Sequence, residues 1–130
     1  MKMLLAVAAG GAVGAVARHL FVGQVGHLVG PHGVAGMPVG ILAANVAGSL
    51  VMGALVETMA LAWSPGGALR AFLTVGLLGA FTTFSTFSLE AAVLLERHAI
   101  AHAAGYVLAS VVLSIAALFA GMWGIRWLLT

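Results

Sequence analysis

The chain has no cysteine and no aspartate, and only 6% of its 130 residues are charged. The missing cysteine excludes disulfides and thiolate metal sites, and leaves the redox compartment unmarked. A soluble domain carries about 25% charged residues, so this chain could not cover a water-exposed surface. Its solvent must be mostly lipid. The five basic residues, Lys2, Arg18, Arg70, Arg97 and Arg126, are scattered and form no stripe, which leaves nucleic-acid binding unsupported. No catalytic triad, phosphate loop or paired carboxylate appears, so an enzyme is not expected.

What the chain has instead is apolar length: 63% of its residues are hydrophobic and 18 are glycine. Glycine is tolerated in membrane helices because it lets two backbones approach closely. Met1-Lys2 and the apolar run after them mimic a signal peptide, but the run is too long and three further runs follow. The pattern predicts four transmembrane helices, over residues 3–23, 38–62, 68–95 and 101–128. Gly30-Pro31-His32-Gly33 supplies a turn signal after the first span, and Pro38 suits the first turn of the second. Trp63 and then Ser64-Pro65-Gly66-Gly67 close the second span, Glu96-Arg97-His98 ends the third, and Trp123 and Trp127 lie near the far end of the fourth. No linker or internal repeat divides residues 1–130, which read as a single four-helix domain. The fold class is all-α integral membrane.

An even number of spans puts both termini on one side of the bilayer. That side would hold Lys2, Arg70 and Arg126, and the other Arg18 and Arg97. So small a Lys/Arg bias permits insertion both ways up, and two copies could then pair antiparallel. Small residues four apart, Gly10 with Gly14, Ala44 with Gly48, Ser49 with Gly53 and Ala117 with Gly121, are candidate helix contacts.

The segment Gly76 to Ser88 carries the least expected chemistry for mid-membrane depth: five hydroxyl residues and three phenylalanines within Phe81-Thr82-Thr83-Phe84-Ser85-Thr86-Phe87-Ser88. Glycine and β-branched threonine weaken a helix, so a break in the third helix is expected here. Freed carbonyls at a break can hold a cation such as Na⁺. The alternative is an unbroken helix whose hydroxyls bond back to their own carbonyls. Phe84 and Phe87 share a helix face, and their electropositive ring edges could line an anion path or simply pack. Asn45, deep in the second span, can offer two N–H donors to an anion or act as interhelical glue. Tyr106, Ser110 and Ser114 repeat every four residues on one face of the fourth span. Such a track suits a small, strongly hydrated anion. Charged residues within spans default to functional hypotheses. Arg18 can snorkel or line an entrance, Glu57 can reach the interface, and Glu90 can serve a pore or pair with a neighbouring helix. His98 and His102 have metal-compatible spacing but read as solvated loop residues.

Gly11 to Arg18, Gly40-Ile41-Leu42-Ala43-Ala44-Asn45-Val46-Ala47-Gly48-Ser49, and Gly76 through Ser88 with Glu90 resemble the Fluc (CrcB) fluoride channels. The resemblance covers essentially the whole chain. It implies an antiparallel, dual-topology homodimer in the cell inner membrane, with two fluoride pores and passive export of fluoride. It also implies a central structural Na⁺ bound by backbone carbonyls, which by motif match fall on Gly79 and Thr82. Phe84, Phe87 and Asn45 match the family's pore residues. Tyr106, Ser110 and Ser114 match its polar track, with Ser85, Thr86 and Glu90 nearby, and Arg18 matches a vestibule arginine. Ile41 and Ala44 depart from the Thr and Val that members often carry, which makes one part of the track apolar. The rival readings are a small proton-coupled multidrug exporter and a non-transporting membrane assembly subunit. The first needs a buried carboxylate, for which Glu90 is the deep candidate. The second explains the small residues but not Asn45 and the hydroxyls.

Overall fold

Apolar residues surround each span instead of forming one stripe, the pattern of a helix bathed in lipid or protein. The computed structural model describes residues 1–30, 33–34 and 36–130. Among them it contains four helical spans long and apolar enough to cross a membrane. Helix α1 covers Lys2–Val29 and α2 Val39–Leu61. The third span, Gly67–Glu96, is built in pieces. The pieces are α3 (Gly67–Ala71), a π-helix (Phe72–Leu78), α4 (Gly79–Phe81) and α5 (Phe84–Glu96). The fourth span is α6, Ile100–Leu129. The chain is therefore an all-α, multi-pass membrane protein.

The spans agree with the sequence pattern except at one end. Helix α1 runs six residues past the expected Gly23, because nothing in Gln24–Val29 stops it. It ends at Gly30, whose φ of 86° lies in the region that favours glycine. Of the turn signal that follows, Pro31 and His32 lie outside the described residues. Pro38 sits just before α2, as its N-cap. Helix α5 ends in a Schellman turn: the His98 N–H donates to the Leu95 carbonyl at 2.9 Å and the Ala99 N–H to the Leu94 carbonyl at 3.0 Å. The left-handed position there is held by His98 (φ 58°), not by glycine.

Two crossings set the scaffold. At the α2–α6 crossing, Gly53 faces the Leu118 carbonyl, and Gly121 faces the Leu50 carbonyl and the Ala54 nitrogen, with no room for a Cβ at either site. At the other, Gly10 and Gly14 of α1 lie against the backbone of the π-helix, next to Gly76 and Leu77. The glycines of the small-residue spacings, Gly10, Gly14, Gly48, Gly53 and Gly121, thus lie against a neighbouring helix. Where α2, α5 and α6 converge, Ile41, Phe87, Leu94, Ala103 and Tyr106 form the buried core. Outside it, apolar side chains such as Leu20, Val112 and Trp127 are exposed, as a lipid-facing surface requires.

Glu57, near the end of α2, has a partner that its sequence neighbours do not reveal. Its side chain is 5% exposed and pairs with Arg126 Nε at 2.8 Å, which ties the ends of α2 and α6 together.

Candidate functional site

The third span breaks at Thr82 and Thr83, both in extended backbone (ψ 155° and 123°). A break in hydrocarbon strands peptide groups that must find partners. Helix α2 supplies one. The Thr83 N–H donates to Asn45 Oδ1 at 2.8 Å, and Asn45 Nδ2 donates to the Thr83 carbonyl at 3.0 Å. The pairing fixes the amide's orientation, since the reverse would set donor against donor. Asn45 therefore spends its acceptor and one of its two N–H groups on the broken backbone.

The five hydroxyls around the break are used locally. Thr83 caps α5: its Oγ1 accepts from the Thr86 N–H at 3.3 Å and lies 3.2 Å from both Ser85 Oγ and Thr86 Oγ1. Thr82 Oγ1 donates back to the Leu78 carbonyl at 3.0 Å, and Ser88 Oγ to the Phe84 carbonyl at 2.9 Å. Both expectations thus hold in part: the helix breaks, and its hydroxyls still serve nearby backbone and one another.

Beside the break lies an open cavity of about 380 Å³. Asn45, Gly79, Thr82, Phe84, Phe87, Ser110 and Ser114 all line it, so seven of the residues singled out from sequence meet there. Ser49, Thr83, Val111 and Ile115 complete the wall. Ser49 had a readable signal, since it lies one turn beyond Asn45 on α2. The Phe84 and Phe87 rings stand 5.3 Å apart, and Phe87 in turn lies 5.5 Å from Tyr106. Phe87 is buried, whereas Phe84 is 76% exposed. The hydroxyls of Ser110 and Ser114 are buried and make no hydrogen bond of ordinary geometry among the described residues, Ser110 lying next to the Tyr106 hydroxyl.

The other candidates stand apart from this wall. Ser85 and Thr86 serve the cap of α5 and are absent from the lining. Tyr106 is fully buried one turn before Ser110 and donates its hydroxyl hydrogen bond to Glu90. Glu90 lines a second cavity, of about 370 Å³, with Arg97, Gly33 and Gly36. Arg18 lines neither cavity. Ile41, one of the two departures from the family pattern, packs in the core beside Phe87 and Tyr106, and Ala44 is fully buried. No cluster of three or more metal-ligating side chains occurs among the described residues.

Over residues 5–122 the chain matches the family described as CrcB-like protein, Camphor Resistance (CrcB). A protein of Rhodospirillum centenum named fluoride-specific ion channel FluC is 53% identical over 126 residues, which cover 97% of each chain. One of the same name from Chelativorans sp. is 50% identical over 129 residues, covering 99% of this chain and all of its own. Another, from Agrobacterium fabrum, is 48% identical over 116 residues, covering 89% of this chain and 90% of its own.

Proposed function

Because the chain belongs to the CrcB family, we propose that it is a fluoride channel, passing the anion through the cavity beside the third-span break. One observation carries this reading: Ser110 and Ser114 line that cavity, and their hydroxyls are buried without a partner among the described residues. Leaving a buried donor unsatisfied costs about 1–3 kcal/mol. Two such donors in a row make sense if an anion completes them in passing. Fluoride is small and strongly hydrated, so it needs donors in place of its lost water. The ring edges of Phe84 and Phe87 add positive potential without a full charge. The relatives carry the name of an ion channel and not of an enzyme.

A single chain leaves the cavity open and Phe84 exposed. An antiparallel pair of identical subunits in the inner membrane would close two such paths, one per chain. The carbonyls of Gly79 and Thr82 are neutral oxygen donors freed at the break, and they suit Na⁺, a hard cation. When bound, Na⁺ would supply fixed positive charge at the dimer's centre. Tyr106 with Glu90, and Ser85 and Thr86 with the α5 cap, support the path from outside this wall. Arg18 would attract anions to its mouth. Transport would be passive and outward, because hydrogen fluoride enters uncharged and dissociates inside.

The test is growth on fluoride of bacteria stripped of their own fluoride channels. Expression of this chain should restore growth, and expression of Phe84→Ile at equal level should not. Failure of the unaltered chain to protect, when present in the membrane, would overturn the reading.

A further inference from the structure

We infer that Asn45 makes the break in the third span, by taking the N–H that would otherwise close the helix. In an uninterrupted α-helix each N–H donates to the carbonyl four residues back. Thr82 still does so, reaching the Leu78 carbonyl at 3.0 Å. At the next rung, the Thr83 N–H should reach the Gly79 carbonyl. It goes to Asn45 Oδ1 at 2.8 Å instead. The same amide then covers the Thr83 carbonyl through Nδ2 at 3.0 Å.

The first rung of the helix to be lost is thus the one where a side chain from α2 takes the donor. The Gly79 carbonyl is released by that competition, and Gly79 lines the cavity. Local sequence weakens the segment, and the Thr83 side chain caps the helix that follows. Without Asn45 an open break would strand both peptide groups of Thr83 in a medium with no water to receive them. Closing the helix would satisfy the N–H at once. Gly48, one turn below Asn45, admits this approach, because a Cβ there would collide with the Thr82 methyl and stand 3.0 Å from the Phe81 ring.

Asn45 is on this account a positioning residue. It holds the Gly79 carbonyl free and keeps one amide N–H for the cavity. Its consequence for ion passage rests on the channel reading; its consequence for the backbone does not.

The experiment is solid-state NMR of the protein in lipid bilayers, read in Na⁺-free buffer. The Cα and Cβ shifts of Thr82 and Thr83 distinguish extended from helical backbone. They should be extended in the unaltered protein and in Phe84→Ile, and should move to the helical range in Asn45→Leu. Extended shifts in Asn45→Leu would overturn the inference. A second measurement needs no variant. The Thr83 ¹⁵N nucleus should couple through space to Asn45 ¹³Cγ at hydrogen-bonding range, and coupling to the Gly79 carbonyl carbon in its place would also overturn it. Loss of fluoride transport by the unaltered protein with these couplings intact would sink the channel reading alone.

Discussion

The α2–α6 crossing allows a prediction whose sign depends on position. An alanine Cβ at Gly121 would meet the Leu50 carbonyl carbon at 3.2 Å and the Ala54 nitrogen at 2.8 Å, besides colliding with the Leu50 oxygen. At Gly53 it would stand 2.9 Å from the Leu118 carbonyl carbon and collide with its oxygen. Ordinary carbon contacts lie at about 3.5–4.0 Å, so either alanine must push two rigid backbones apart. Overpacking of this kind costs about 1–3 kcal/mol. Gly124 lies on the same helix, and a Cβ added there would have nothing within 4 Å. Alanine at that position carries no clash and should stabilise by up to about 1 kcal/mol through helix propensity. Gly53→Ala with Gly121→Ala should cost less than the sum of the two, because the first already separates the helices. The assay is thermal or denaturant unfolding of the purified protein in one lipid-like detergent. If Gly121→Ala proves as harmless as Gly124→Ala, the helices do not meet through backbone at this point.

Ser110→Ala and Ser114→Ala should leave unfolding stability unchanged or raise it by up to about 1 kcal/mol, since each removes a buried unpaired donor, while lowering fluoride flux. A loss of stability without loss of flux would show that the hydroxyls serve packing. His98→Gly should stabilise by about 1 kcal/mol by relieving a left-handed residue, measured by the same unfolding assay with flux unchanged. Arg126→Gln should lower the midpoint of unfolding because it leaves the buried Glu57 carboxylate without its partner. Arg126→Lys should recover part of the loss, and equal midpoints for the unaltered protein and Arg126→Gln would refute the tie.

The four spans were legible because hydrophobic length is a property of each segment alone, and the bilayer fixes that length. The break was legible for a related reason: Gly79 and the threonines weaken the helix where they stand. What lay beyond the sequence was partnership. That Asn45 answers the backbone of Thr83 depends on which rung of the third span α2 happens to cross. The π-helix over Phe72–Leu78 had no signal, because its register is set against α1 where Gly10 and Gly76 touch. That Thr83 caps α5 and engages the hydroxyls of Ser85 and Thr86 follows from the break and not from their spacing. Glu57 and Arg126 are far apart in sequence, and only the α2–α6 crossing brings them together.

Fluoride passage through this protein is tested most directly by anion efflux from liposomes that hold the purified chain, compared between fluoride-loaded and chloride-loaded vesicles. A fluoride channel should give fast fluoride efflux with little chloride leakage. Equal release of both anions, or no fluoride release from folded protein, would contradict it.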